Sequence, residues 1–168
     1  MKRKIQGVKI IMKEYIVNPQ MHISVPEDFR EFSSEEMNAL YRDDNSSRWG
    51  VKSEERHVSL VIFYHKSNAL LASLTNVKDI ANNIRKKYDS MGRDHNYEMK
   101  GTFEDTIASL DAAGFDYAYD VGGIRQAGRI AVVKKKGMCY TLYYYAREPL
   151  SDEARETWKN LTDSITIE

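Results

Sequence analysis

Cysteine is almost missing from this chain, and its scarcity excludes whole classes of architecture. Cys139 is the only one, so neither an internal disulfide framework nor a Cys-rich zinc site can form. A lone thiol fits a reducing compartment. Charge of one sign is missing as well, because 25 Lys+Arg are cancelled by 25 Asp+Glu. A net charge of zero gives no global field to draw in a polyanion, and no nucleic-acid partner is expected. No segment approaches the roughly 20 apolar residues that a membrane span needs. Internal repeats, linkers and low-complexity tracts are also absent. The basic start Met1-Lys2-Arg3-Lys4 resembles that of a secretory signal, but Lys9 and Lys13 break the apolar stretch that should follow. No small-residue cleavage site appears there either, and a cytoplasmic location is expected.

What is present is an ordered succession of elements. The 168 residues suit one domain, long enough to bury about 70% of the surface its unfolded chain exposes. Residues 1–13 read as an extension or an added edge strand, with Met12 as a second candidate start, and residues 14–168 as the domain. Two short strands, Tyr15–Val17 and Met21–Val25, are punctuated by Asn18-Pro19, since proline cannot donate to a ladder. Pro26-Glu27-Asp28-Phe29 suits a helical first turn. Ser33 and Glu36 form a capping-box pattern that opens a helix through about Tyr41, with Met37, Leu40 and Tyr41 facing inward. A polar loop follows at residues 42–47.

Trp49–Lys52 and His57–His65 carry strand patterns. Val58, Leu60, Ile62 and Tyr64 share one face of the second, while Val61 and Phe63 make the other apolar too. A strand apolar on both faces is covered on both sides, which predicts helices above and below a sheet. Val77, Ile80, Ala81, Ile84, Tyr88 and Met91 then recur at helical spacing, with Gly92 as terminator. Strands are predicted at about 97–107, 114–121, 124–134 and 138–146, hinged at Gly122-Gly123 and Lys136-Gly137. Ser151 caps a last helix that buries Ala154, Trp158 and Leu161, and Ser164–Ile167 closes the chain as a strand. The predicted class is α+β, a mainly antiparallel sheet sandwiched between helices.

This arrangement resembles the PsbP-like superfamily, which includes the Ran-binding Mog protein of nuclear transport, the PsbP subunits of the oxygen-evolving complex and bacterial DcrB-like proteins. The matching residues are Ile23-Ser24-Val25-Pro26 with Phe29, the stretch Gly114–Tyr119, the stretch Gly137–Ala146, and the closing Trp158, Leu161, Ser164 and Ile165. The resemblance covers about residues 14–168 and is one of element order. It implies an accessory or binding protein with a protein partner, and no chemistry of its own.

The candidate sites are weak ones. His57 and His65 lie eight residues apart on one predicted strand, about 26 Å at the usual rise per residue, too far to share a metal. Cys139 sits mid-strand with no cationic cluster nearby to lower its pKa. The glycines at 122, 123 and 128 lack the following Lys-Ser or Lys-Thr of a phosphate loop. Glu54-Glu55 and Glu104-Asp105 are adjacent in sequence, which in strands points them to opposite faces. No catalytic residue, metal or cofactor is expected. The leading expectation is a non-enzymatic interaction domain whose surface includes Trp49, Arg125, Tyr143 and Tyr145, since tyrosine offers both area and a hydroxyl. The rival is a small-ligand binder or unrecognised hydrolase with a pocket between sheet and helix, lined by Tyr143, Tyr145 and a histidine. An exposed strand edge offers a homodimer as a third arrangement.

Overall fold

The computed structural model describes residues 2–5, 8–41, 47–67 and 75–168. The chain opens with β1 (Lys2–Ile5), β2 (Val8–Ile16), β3 (Met21–Pro26), β4 (Arg30–Glu31) and helix α1 (Ser34–Leu40). Next come β5 (Ser47–Ser53), β6 (Val58–Lys66) and helix α2 (Val77–Met91). Four long strands follow: β7 (Glu98–Ile107), β8 (Leu110–Val121), β9 (Ile124–Lys135) and β10 (Met138–Arg147). Helix α3 (Asp152–Asp163) and β11 (Thr166–Ile167) end the chain. The main sheet is antiparallel and seven-stranded, in the order β4-β5-β6-β10-β9-β8-β7. A second sheet of four strands runs β1-β2-β3-β11. No helix among the described residues is long and apolar enough to cross a membrane.

The period-two patterns sort residues to the two faces of the main sheet as expected. Val58, Leu60 and Ile62 of β6 join Tyr140, Leu142 and Tyr144 of β10 in one core, which Ala154, Trp158 and Leu161 of α3 complete. Met21, Ile23 and Val25 of the small sheet share that core. On the opposite face, Ala81 of α2 packs on Ala113, Val132 and Cys139, with Val77, Ile80 and Ile84 beside it. Gly50 admits α1 to this same face: a Cβ there would lie 2.9 Å from the Phe32 ring and 3.1 Å from the Met37 methyl. Helices therefore cover the sheet front and back. The small sheet shares the cover with α3, a partnership that the order of elements did not reveal.

Local chemistry fixes the ends of these elements. Ser33 and Glu36 form the reciprocal capping box, with the Glu36 N–H donating to Ser33 Oγ at 3.1 Å and the Ser33 N–H to Glu36 Oε1 at 3.1 Å. Such a cap contributes about 1 kcal/mol. Asn18 makes the turn before β3, its Oδ1 accepting the Met21 N–H at 2.7 Å while its Nδ2 donates to the Tyr140 hydroxyl at 3.1 Å. Ser151 caps α3 through the Ala154 N–H at 3.0 Å. Gly122 and Gly123 (φ +55° and +80°) and Lys136-Gly137 (φ +49° and +77°) turn their hairpins in the left-handed region.

Three expectations need correction. Pro26–Phe29 forms no helical turn. Pro26 ends β3, a single turn closes from the Phe29 N–H to the Pro26 carbonyl at 3.0 Å, and the chain leaves as β4. Asp28 is drawn aside there, bound to Arg56 at 2.7 Å and Ser53 at 2.7 Å. Leu40 is exposed rather than inward, because α1 ends there and Met37 alone is buried. The second α-helix ends at Met91, directly before Gly92 as expected, and a 3-10 turn over Gly92–His95 follows it. β8 starts at Leu110, since Ala108-Ser109 turns the β7–β8 hairpin with φ of +53° and +62° and no glycine. Except for Ser47, which opens β5, the polar loop expected at 42–47 lies outside the described residues.

Candidate protein-interaction groove

On β10 the side chains of Tyr140, Leu142, Tyr144 and Ala146 face α3, while Thr141, Tyr143 and Tyr145 face the other way. Trp158 of α3 meets this first row: its ring stands 5.4 Å from that of Tyr144, whose hydroxyl donates to the Ala154 carbonyl at 2.6 Å. Arg129 of β9 carries the contact outward. Its guanidinium lies 5.5 Å from the Trp158 ring and 4.5 Å from the Phe103 ring of β7. Asp116, directly across the β8–β9 ladder, holds that guanidinium through two bonds of 2.6 and 2.8 Å. A cation held by one carboxylate and faced by two aromatic rings is a rigid wall.

Beyond this wall the cover of the sheet stops, leaving a groove of about 750 Å³ between α3 and strands β7 to β9. Tyr144, Leu150 and Trp158 supply its apolar surface. Most of its charges are paired on the spot: Lys159 with Asp163 at 2.7 Å, Lys100 with Glu148 at 3.5 Å, and Arg129 with Asp116, while Asp105 at the β7 rim has no ion-pair partner among the described residues. Among the described residues no serine, cysteine or histidine lines it. Among the described residues no group of three or more His, Cys, Asp or Glu is placed to hold a metal. Aromatic faces framed mostly by paired charge bind chiefly through shape and apolar contact.

The four residues expected to form an interaction surface do not come together. Trp49 is 9% exposed and packs in the α3-side core against Tyr15, ring centroids 5.6 Å apart. Its strand partner Ile62 faces that core, so the alternation of β5 carries the indole inward. Arg125 is used within the chain. It reaches Glu98 at 3.0 Å, Asp120 at 3.1 Å, Glu148 at 3.0 Å and the Asn96 carbonyl at 3.0 Å, fastening the start of β7 and the approach to α3 onto the β8–β9 tip.

Tyr143 and Tyr145 are half-buried on the α2 side in an aromatic seam. Tyr143 stands 5.4 Å from Phe63, which stands 4.8 Å from Tyr41; Tyr145 is 6.2 Å from Tyr119. Burial pushes the phenols of Tyr41, Tyr88 and Tyr119 up to about 12, and those of Tyr143 and Tyr145 upward as well. The groove therefore lies on the face opposite Tyr143 and Tyr145, and Tyr144 lines it. The four histidines stand elsewhere: His57 occupies a turn with φ of +55°, His65 is exposed, His22 is 3.4 Å from Glu14, and His95 is exposed at the end of the 3-10 turn. Burial also pushes the Cys139 thiol up, which suits a packed cysteine.

No family model matches this sequence, and no curated protein matches it. Solved structures do. The chain is similar to cyanobacterial PsbP (CyanoP) from Synechocystis sp. PCC 6803, with a TM-score of 0.69 and 13% identity over 99% of this chain and 98% of that one. It is similar to LpqN of Mycobacterium tuberculosis, involved in cell envelope biogenesis, with a TM-score of 0.58 and 12% identity over 93% and 91%. It is also similar to the Saccharomyces cerevisiae Ran-binding protein Mog1p, with a TM-score of 0.56 and 9% identity over 94% and 96%. The chain has the PsbP-like fold. Identities this low establish the fold alone.

Proposed function

We propose that this protein is a non-enzymatic accessory component of the cytoplasm that binds another protein through the groove beside α3. The observation that carries the reading is the groove itself: Trp158, Tyr144 and Leu150 line it, and most of its charges are already paired within the chain. Aromatic anchors within a paired polar rim are the anatomy of an interaction hot spot. The fold likeness to a protein that binds Ran supports it. Ala127, half-buried in the groove, allows a direct test. Protein purified from its own host is expected to carry a stoichiometric partner in native mass spectrometry, and Ala127→Trp, which fills the groove, is expected to lose that partner with an unchanged melting temperature. A partner retained by the filled variant, or no partner at all, overturns the reading.

The volume of about 750 Å³ also falls in the range of small-molecule sites, so a small apolar ligand is the second reading. A ligand at 100 times its Kd adds about 2.7 kcal/mol to stability. A thermal-shift screen thus separates the two.

A further inference from the structure

We propose that the groove's occupant is an extended, basic peptide segment that enters as an added strand on the free edge of β7, an inference that rests on the groove reading above. β7 ends the strand order of the main sheet, and β8 is its only strand partner among the described residues. Its pairing with β8 is irregular between Met99 and Gly101, then runs unbroken from Gly101 to Ile107. The bulge blunts the beginning of the edge and leaves the rest straight. An unpaired edge of this kind presents backbone N–H and C=O groups that template another strand.

The edge and the groove are one continuous surface, since Lys100, Asp105 and Thr106 of β7 line the groove. Main-chain bonds along β7 would fix the register, and every second side chain of the guest would point over Phe103 toward the Arg129–Trp158 wall. Charge selects the guest. Glu104 and Asp105 are both exposed. Among the described residues Glu104 is ion-paired only with the solvent-exposed Lys78, at 3.7 Å, and Asp105 accepts its neighbour's Thr106 N–H at 2.8 Å. Lysine or arginine opposite these two carboxylates is favoured, as cross-strand pairs of opposite charge are. A second copy of this chain is disfavoured by the same rule. Antiparallel self-pairing of residues 101–107 sets Glu104 directly against Glu104.

The test is selection of displayed random ten-residue peptides on the intact protein, followed by synthesis of the enriched sequences. Those sequences are expected to carry Lys or Arg at neighbouring positions, one toward Glu104 and one toward Asp105, with apolar residues at the other positions that face the groove, and to contain no internal proline. Binding is expected to slow amide exchange along β7, read by NMR on the unaltered protein, which needs no variant to fold. The surface variant E104K/D105K is expected to weaken binding by about tenfold or more, and peptides with Lys and Arg replaced by Glu are expected not to bind. Peptides that shift Trp158 and Tyr144 signals while β7 amides exchange as before overturn strand addition and leave the groove reading standing. A selection that yields nothing bound at β7 or α3 overturns both.

Discussion

Gly114 offers the sharpest test of how tightly the β7–β8–β9 ladder is built. It sits opposite Phe103 on β7 and Ala131 on β9. A Cβ at this position would lie 1.8 Å from the Ile130 carbonyl oxygen and 2.7 Å from Phe103 Cζ. The phenyl ring can swing, but the carbonyl belongs to the backbone of the neighbouring strand. Gly114→Ala therefore forces β8 and β9 apart. Overpacking strain of this kind costs about 1–3 kcal/mol, and a broken ladder hydrogen bond adds roughly 1 kcal/mol. The expected loss is about 2–4 kcal/mol, or roughly 4–16 °C in melting temperature for a chain of this size. Gly101 on β7 is the internal control, because a Cβ there meets nothing within 4 Å, and Gly101→Ala is expected to fall within about 0.5 kcal/mol of the parent. Urea titrations followed by far-UV circular dichroism give both numbers. If Gly114→Ala unfolds at the parental midpoint with an unchanged slope, the close approach of these strands is not what holds glycine there.

Two predictions concern pH. The phenols of Tyr41, Tyr88 and Tyr119 are pushed up to about 12 by burial, above the value of about 10 in an unfolded chain. Their contribution to stability is therefore complete below about pH 10 and is lost as pH rises toward 12. Urea midpoints measured from pH 8 upward are expected to hold steady and then fall, in step with phenolate absorbance; early ionisation without unfolding would show the α2 seam to be open to water. Asp28 shifts the other way. Burial works to raise its pKa, but hydrogen bonds from Arg56 and Ser53 and the Arg56 charge hold it below the usual value. That stability is present above the ordinary aspartate value of about 3.9 and lost as pH falls through the folded one. Asp28→Asn is expected to cost about 1–3 kcal/mol at pH 7 and progressively less as pH falls below the ordinary aspartate value. A constant difference across that range would remove the ion pair from the account.

The fold was legible wherever one physical signal acted alone. Helix α2 follows from its stripe Val77, Ile80, Ala81, Ile84 and Tyr88, all of which face the sheet. The four long strands follow from alternation and two glycine-bearing turns. The Gly122-Gly123 turn even dictates that Asp116 faces Arg129 and Tyr117 faces Gly128, so the carboxylate–guanidinium wall of the groove was within reach of the sequence. Its aromatic half was not. Phe103 and Trp158 are 55 positions apart, and only the packing of α3 over β9 brings both rings to one guanidinium. Trp49 misled because a strand-start aromatic after a polar loop looks like an anchor, whereas its face is set by pairing with Ile62. Leu40 misled because helical periodicity assumes a helix long enough to bury a whole stripe, and α1 has only seven residues.

The position of the groove follows from the unequal sizes of the sheet and its cover. Seven strands spaced about 4.8 Å apart make a surface roughly 29 Å wide. The twelve residues of α3 at ~1.5 Å each reach about 18 Å, even laid straight across the strands. On the other face α1 and α2 divide the width between them, and the aromatic seam of Tyr41, Phe63, Tyr143 and Tyr145 fills the space they leave. On the α3 face the small sheet joins the core around β6 and β10, through Met21, Ile23 and Val25. The uncovered remainder falls toward the β7 end. Side chains must finish there what backbone elements do not reach, and Arg129, pinned between Phe103 and Trp158, closes the core at that boundary. The outermost strand is thereby left with a free edge beside an aromatic wall, the juxtaposition that a strand-forming partner requires.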